Sequence, residues 1–324
     1  MAGEFDVEAV AWTARDPLPP AEVERLDGLL DGAVWDGPLV VSMPRTGSTL
    51  LATLFLLLRD PPGTGDHVFA RYLHEPVAPM FWEGRSVDDV VAWIGRLTSQ
   101  DVVQESAYQF RDREIARWFL HRARRPVAFA MRDPRRAWPS RWRILLRMRL
   151  AAGVPDAQAE RFRRALETDD FSHLGDVLVH EVDPPGNGWA EWLDLLALCR
   201  EEGIDHVLVD HGGLRDDPET VLAGLCDRWD LRYDPAMVRW DDLTEAIPRV
   251  VMSDLATGPE FEWYYESTLS SRGGIRRSRA GTLPLEAFPD ELRGSRRRVL
   301  TIDDALASYR DLLERGDVAG GGGP

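Results

Sequence analysis

The chain has 324 residues, of which 44% are hydrophobic and 29% charged, enough for one large α/β domain or two modest ones. Its net charge of −16 argues against a general nucleic-acid-binding protein, which normally carries a basic surface. All 39 basic residues are arginine. The absence of lysine excludes Schiff-base chemistry and the phosphate-binding lysine of a Walker A loop.

Membrane insertion and export are not expected from this sequence. The longest apolar run, residues 50–58, is too short to span a bilayer, and the acidic start "MAGEFDVEAVAW" is unlike a signal peptide. Cys199 and Cys226 are expected to be buried small hydrophobic residues rather than a disulfide. We therefore expect a soluble cytoplasmic protein with no nucleic-acid or membrane partner; the sequence does not predict its oligomeric state.

Strands and helices alternate along the first half of the chain. Residues 1–36 are predicted to be a helical extension that includes "PPAEVERLDGLLDG". A short buried strand, "PLVVSMP" at 38–44, precedes the apolar helix "STLLATLFLLLRD". A second strand lies in "HVFARYLHEP" at 67–76, and the patterns "SVDDVVAWIGRLTSQ" and "DREIARWFLHRA" predict amphipathic helices.

The second half continues the alternation. A buried strand, "RPVAFAMRDP" at 125–134, precedes the helix "RRAWPSRWRILLRMRLAAG". Residues 155–187 are polar and are predicted as a helical insertion. The helix "GNGWAEWLDLLALCREEG", the strand "HVLVDHGGL" and the helix "DDPETVLAGLCDRWDL" follow, and the tail 317–324 is predicted to be disordered.

These elements predict a three-layer αβα fold with a central parallel sheet, because near-continuous apolar strands alternate with helices. No linker divides the core, so residues 37–316 are assigned to one domain. Each predicted strand ends in a polar cluster, and ligands of such sheets bind at the carboxyl ends of the strands. The four clusters are Arg45–Thr49, His74–Glu75, Arg132–Asp133 and Asp210–His211.

The first cluster has the composition of an anion-binding loop. A helix N-terminus presents backbone N–H groups and a positive dipole end to an anion, and Gly47 permits close approach. Thr46, Ser48 and Thr49 supply hydroxyls, while Arg45 can form a bidentate pair with phosphate or sulfate oxygens. The alternative is simple helix capping by Thr46 or Ser48.

Arginines are also concentrated in two segments. Residues 111–149 contain thirteen arginines against three acids, and residues 272–298 contain eight arginines against three acids. An acidic protein that collects cations in two segments is expected to hold a local anion, although solvated helix faces would give the same counts.

At this point the motifs resemble a known family. "PRTGSTLL" resembles the 5′-phosphosulfate loop of sulfotransferases that use 3′-phosphoadenosine 5′-phosphosulfate (PAPS), in the bacterial branch that has arginine at this place. "MRDPRRAWPSRW" resembles their second signature, in which an arginine and a serine eight residues later bind the 3′-phosphate; here these are Arg132 and Ser140. "SSRGGIRRSRAG" resembles their late 3′-phosphate loop through Arg272, Gly273 and Gly274.

The resemblance covers about residues 36–280 and implies a P-loop-like sulfotransferase fold. It implies transfer of a sulfonate group from PAPS to a hydroxyl or amine of a small-molecule acceptor, with adenosine 3′,5′-bisphosphate as the other product and no metal. Because PAPS is phosphorylated at both ends of its nucleoside, we expect two anion sites, at Arg45 and Arg132, separated by the length of that nucleoside.

Catalysis by such an enzyme needs charge neutralisation at the leaving phosphate and a base for the acceptor. Arg45 is the expected cation at the leaving group. Glu75 is the first candidate base and His74 the second, while pairing of Glu75 with a nearby arginine would give it a structural role only. The reserve candidates are His67, Glu105, Asp210 and His211.

An acceptor pocket is predicted from the apolar residues that follow Glu75, namely Met80, Phe81 and Trp82. Residues 261–282, which include the aromatic segment "FEWYYESTLSS", are predicted as a lid and 3′-phosphate loop. Two other functions fit the same loop: a small-molecule P-loop kinase, which would require Mg²⁺, and a catalytically inactive nucleotide-binding module of the same fold.

Overall fold

The structure is a computed structural model of the 324-residue chain. It describes residues 19–29, 37–58, 68–75, 97, 101–110, 113–178, 188–239, 250–252, 274–275, 281–294, 300–315 and 318–319. The statements below concern these residues.

A parallel six-stranded sheet forms the centre of the molecule. Its strands, in chain order, are β1 (Leu39–Ser42), β2 (Arg71–His74), β3 (Asp101–Ser106), β4 (Val127–Met131), β5 (His206–Asp210) and β6 (Val250–Met252). Their spatial order is β5-β4-β1-β3-β2-β6, and every neighbouring pair is parallel.

Helices connect and cover the strands. They are α1 (Pro20–Leu29), α2 (Ser48–Phe55), α3 (Arg113–His121), α4 (Pro134–Ala152), α5 (Asp156–Thr168), α6 (Trp189–Glu202), α7 (His211–Asp216), α8 (Pro218–Arg228) and α9 (Ile302–Glu314). A single helical turn at Gly175–Val177 and 3₁₀ turns at Ala107–Gln109, Ser172–Leu174, Pro235–Met237, Leu285–Ala287 and Asp290–Leu292 complete the described elements.

Both faces of the sheet are buried, and each has its own apolar core. Along β1, Leu39 and Val41 belong to one core, which contains residues of α3, α4, α6 and α9. Val40, between them, belongs to the other core, with residues of α2, α7 and α8. Successive side chains of a strand point to opposite faces, so this division places helices on both sides. The predicted three-layer αβα fold with a parallel sheet is confirmed.

The sequence analysis did not predict β3, and its composition explains why. The strand ends in Gln104, Glu105 and Ser106, which are all buried and interrupt any apolar run. Side-chain hydrogen bonds satisfy part of this polar strand: Tyr72 donates to Gln104 Oε1 at 2.9 Å, and Gln104 Nε2 donates to Ser42 Oγ at 2.9 Å. Buried polar groups are tolerated where such partners exist.

Several other expectations differ from the structure or lie outside it. The short strand β6 and the helix α9 were not predicted. The described part of the predicted insertion at 155–187 contains α5 and the helical turns up to Val177. Most of the predicted helix at 86–100, the predicted lid at 261–282 and the tail at 317–324 lies outside the described residues.

The strand order places a crevice between β1 and β4. The chain leaves β1 through α2 toward β2 on one side, and it leaves β4 through α4, α5 and α6 toward β5 on the other side. Ligands of open α/β sheets bind at such a switch point, beyond the carboxyl ends of the two strands. Residues 43–47 follow β1 and Arg132 follows β4, so these residues lie where a ligand of such a sheet is expected to bind.

Candidate functional site

The turn between β1 and α2 leaves a helix N-terminus without a side-chain cap. Arg45 and Gly47 both have positive φ angles, 67° and 85°, and Gly47 is the N-cap of α2 with no side-chain hydrogen bond. Thr46 precedes the N-cap and makes no cap hydrogen bond; its hydroxyl donates to the carbonyl of Met43 at 2.8 Å. The first N–H groups of a helix have no intrahelical acceptor. The arrangement therefore favours anion binding over the capping alternative.

Arg45 and Arg132 lie together at this turn. Arg132 Nη1 donates to the backbone carbonyl of Arg45 at 3.0 Å, and Arg45 Nε donates to Ser140 Oγ at 3.1 Å. Arg132 therefore contacts the backbone of the 43–49 turn, so the two predicted anion sites are neighbours in this structure. Their separation by the length of a nucleoside stays a prediction.

The guanidinium of Arg132 is a poorly compensated buried cation. The residue is 8% exposed, and its buried Nε has no hydrogen-bond partner. Burial first, and then the neighbouring cations Arg45, Arg215 and Arg136, lower the pKa of Arg132 to about 10. A charge in such surroundings is stabilised by an anion that brings both opposite charge and acceptor oxygens.

A further cation, Arg215, approaches from α7. Its Nε donates to Nε2 of His211 at 2.9 Å. Burial and the nearby Arg45 lower the pKa of Arg215. The pKa of His211 falls well below its ordinary value of 6.5 because the ring is buried and lies near Arg132, Arg215 and Arg45. Three guanidinium groups thus surround one neutral imidazole at the end of β5.

Glu75 provides a carboxylate in the same pocket. Ser106 Oγ donates to Glu75 Oε1 at 2.6 Å, and Gln109 Nε2 donates to Glu75 Oε2 at 3.0 Å. The backbone of Glu75 has a φ of 46°, in the left-handed region, and its N–H donates to the Gln104 carbonyl at 2.8 Å. Residues other than glycine hold this conformation where their surroundings fix it. Its carboxylate partners among the described residues are thus neutral donors, and none of them is an arginine.

His74 lies next to Glu75 and also faces the pocket. The side chain is buried against Tyr72, with ring centroids 5.7 Å apart. Burial lowers the pKa of His74, although the charge of Glu75 opposes the effect. The imidazole is therefore neutral at physiological pH.

One pocket collects these groups, and we call it the loop pocket. Its lining joins the 43–49 turn to the carboxyl ends of four strands. The lining residues used below are Arg45, Gly47, Ser48, Thr49, His74, Glu75, Ser106, Arg132, His211 and Arg215. The structure thus brings members of all four polar clusters predicted at strand ends into one cavity.

The remaining site residues from the sequence analysis have other positions. Ser140 contacts Arg45, as described above, and Asp210 caps α7 by accepting a hydrogen bond from the Gly213 N–H at 2.9 Å. Gly274 has a φ of 113°, and a Cβ there would lie 2.5 Å from the Val238 carbonyl oxygen, so the backbone requires glycine. Glu105 is fully buried within β3. Arg272, Gly273, Met80, Phe81, Trp82 and His67 lie outside the described residues.

The sequence analysis did not identify Arg215 and Ser106, which line the loop pocket, or Gln109, which donates to Glu75. Arg215 follows His211 by four residues, the spacing at which two helical side chains meet, and this was an available signal. Ser106 and Gln109 had no comparable signal, because they follow a strand that the apolar pattern did not predict.

No three His, Cys, Asp or Glu side chains in the described ranges group in a way that could hold a metal ion. No helix in this part of the chain combines the length and apolar character needed to cross a bilayer.

Comparison with known proteins gives two similar solved structures. The sulfotransferase domain from the curacin biosynthetic pathway is 14% identical over 85% of this chain and 97% of that domain, with a TM-score of 0.36. The sulfotransferase domain from the Synechococcus PCC 7002 olefin synthase is 14% identical over 78% of this chain and 92% of that domain, with a TM-score of 0.32. No protein-family model and no curated protein matches the chain.

Proposed function

We propose that this protein is a sulfotransferase that moves the sulfonate group of PAPS to a hydroxyl or amine of a small-molecule acceptor. The observation that carries the proposal is the meeting, in the loop pocket, of an uncapped helix N-terminus, the Arg45–Arg132 pair and the carboxylate of Glu75. The first two suit a phosphate-bearing donor, and the third suits an acceptor that must lose a proton.

The pocket has unused donors that fit such a ligand. The Nε of Arg132 and the Nδ1 of His211 are buried and have no hydrogen-bond partner. Gly47 leaves the first turn of α2 without a side-chain acceptor. Buried donors in native structures are nearly always paired, so an oxyanion with several acceptor oxygens suits this lining.

In the proposed reaction the cationic side of the pocket stabilises the leaving 5′-phosphate. The N–H groups at the start of α2 and the guanidinium of Arg45 would bind its oxygens as negative charge accumulates there. Removal of one preorganised donor of this kind commonly costs about 3–4 kcal/mol in the transition state. Arg132 and Ser140 would bind the 3′-phosphate, which requires Ser140 to exchange its contact with Arg45 for one with the ligand.

Glu75 is the proposed base. Each of its carboxylate oxygens accepts one hydrogen bond, from Ser106 or from Gln109, and a carboxylate oxygen has two lone pairs. One lone pair on each oxygen is therefore left for the acceptor's proton while the two bonds fix the direction of the group. His74, neutral and buried beside it, is the second candidate.

The donor half of the proposal is tested by thermal unfolding with nucleotides. Adenosine 3′,5′-bisphosphate should raise the melting temperature more than ADP at the same concentration, because a tighter ligand stabilises the native state more. Arg132→Ala should remove this preference, while Arg147→Ala, at an exposed position on α4, should keep it. An equal or greater effect of ADP would favour a kinase, and an unchanged preference in Arg132→Ala would disprove the 3′-phosphate assignment.

A further inference from the structure

The hydrogen bond between Arg215 and His211 fixes the tautomer of the histidine. His211 begins α7 directly after β5 and is 6% exposed. Arg215 Nε lies 2.9 Å from Nε2 of its ring. An arginine side chain only donates, so Nε2 must be the accepting, unprotonated nitrogen. The proton of the neutral ring is therefore on Nδ1.

The Nδ1 atom lies beside the turn that forms the loop pocket. A Cβ at Gly47 would come within 2.2 Å of it, so only a glycine lets the imidazole approach this closely. Hydrogen bonding with the Thr46 backbone raises the pKa of the ring, a smaller effect than burial, but no acceptor among the described residues lies in good hydrogen-bond geometry to Nδ1. A buried N–H donor without a well-placed acceptor thus faces the start of α2.

We infer that His211 is a binding residue of the loop pocket, whose Nδ1–H donates to an oxygen of a sulfate- or phosphate-type group held by the 43–49 turn. Arg215 is a positioning residue in this scheme, because it holds His211 in the donating tautomer. The inference rests on the proposed function only in placing an oxyanion at this turn.

The electrostatics of the pocket support this role over that of a base. Burial and the neighbouring guanidinium groups of Arg132, Arg215 and Arg45 lower the pKa of His211, so the ring remains neutral at pH 7. Its accepting nitrogen is already occupied by Arg215. His211, a reserve candidate base in the sequence analysis, is thus a donor in this arrangement.

The first test reads the tautomer directly in the wild-type protein. With ¹⁵N-labelled histidine, NMR at pH 7 should show His211 neutral with its proton on Nδ1. Titration with inorganic sulfate and, separately, with adenosine 3′,5′-bisphosphate should then shift the Nδ1 signal as each ligand binds. A proton on Nε2 in the free protein, or an Nδ1 signal that stays fixed while a ligand binds, would overturn the inference.

The second test uses matched substitutions. His211→Asn retains an amide donor near the Nδ1 position and should keep the bisphosphate affinity within about threefold, while His211→Leu should weaken it about tenfold or more, as expected for a lost hydrogen bond to a charged group. His206→Asn, at the start of β5 where Nδ1 lies 2.9 Å from the Ile204 carbonyl oxygen, is the control. Equal affinities for His211→Leu and wild type would contradict the role of His211.

The outcomes separate the two proposals. If sulfate shifts the His211 signal but the protein shows no preference for the bisphosphate over ADP, His211 donates a hydrogen bond to anions and PAPS is not the substrate. If the bisphosphate binds tightly and the His211 signal does not change, the sulfotransferase proposal stands and this inference is wrong. The wild-type NMR measurement decides the question even where a substitution impairs folding.

Discussion

Arg132 donates a 3.0 Å hydrogen bond from Nη1 to the backbone carbonyl of Arg45, and so joins two segments 87 residues apart in the sequence. The bond links the end of β4 to Arg45, one of the two residues of the 43–49 turn with a left-handed backbone. One side chain thereby supports the shape of the turn and contributes positive charge to the loop pocket. A change at Arg132 is therefore expected to affect both the conformation of the turn and the binding of an anion.

Replacing Gly47 by alanine should be strongly destabilising. A left-handed φ of 85° costs alanine about 1–2 kcal/mol, and the new Cβ would lie 2.2 Å from His211 Nδ1, which adds the cost of moving a buried ring. Urea unfolding of Gly47→Ala should therefore give a larger loss than Gly203→Ala, where φ is 69° and no atom lies within 4 Å of the added Cβ. Equal losses would show that the His211 contact contributes nothing.

Glu75→Gln should abolish most of the transfer activity and leave donor binding intact. The amide keeps the size of the side chain but cannot accept a proton, and loss of a general base typically lowers the rate by about 10²–10⁴. The assay is transfer of ³⁵S from labelled PAPS to a panel of phenols, alcohols and amines, with bisphosphate affinity measured in parallel. Transfer at the wild-type rate would remove Glu75 from the mechanism.

Ser106→Ala tests the orientation of the same carboxylate. The 2.6 Å bond from Ser106 fixes Glu75 Oε1, so its loss should lower kcat while KM for the donor changes little. Ser106→Thr, which retains the hydroxyl, should recover most of the rate. A change confined to KM would assign Ser106 to binding and not to the position of Glu75.

Stability should fall as the pH drops below about 6.5. Burial lowers the pKa values of His74 and His211 in the native state, so at acid pH the unfolded chain binds protons that the native state does not. Between the pKa of the unfolded chain and the lowered pKa of the native protein, each such histidine decreases the free energy of unfolding by up to about 1.4 kcal/mol for every unit that the pH falls. Urea unfolding at pH 7.5 and 5.5 should show a smaller loss for His211→Asn than for the wild type; equal losses would contradict the shift.

Both cysteines should be unreactive in the folded protein. Burial raises the pKa values of Cys199 and Cys226 to about 12, and only the thiolate reacts readily with alkylating reagents. Iodoacetamide at pH 8 should label neither thiol until urea unfolds the chain, when both should react together. Rapid labelling of one cysteine in the native protein would show local opening around it.

The strands that could be predicted most directly from the sequence are those whose residues are mostly apolar and buried. β1, β4 and β5 are short apolar strands buried on both faces, and the polar residues that follow them marked the ligand edge of a parallel sheet. The 43–49 turn was identified from its composition, because glycine, hydroxyl residues and arginine before an apolar helix are the groups that bind an anion.

The contacts that complete the pocket depend on long-range pairing, which local pattern does not encode. β3 lacks the apolar run that would identify a buried strand, because its second half is polar. Hydrogen bonds among Gln104, Ser42 and Tyr72 allow these polar residues to be buried. Without β3, neither Ser106 nor Gln109 could be placed beside Glu75. The closeness of Arg132 to the Arg45 backbone likewise follows from strand order, which the sequence alone did not give.

The proposed binding of PAPS is tested most directly by a crystal structure, from crystals of the protein grown with adenosine 3′,5′-bisphosphate. The account predicts the 5′-phosphate within hydrogen-bond distance of the N–H groups of residues 47–49, and the 3′-phosphate on the guanidinium of Arg132. A bisphosphate bound outside the loop pocket, or one whose 3′-phosphate lies away from Arg132, would contradict it.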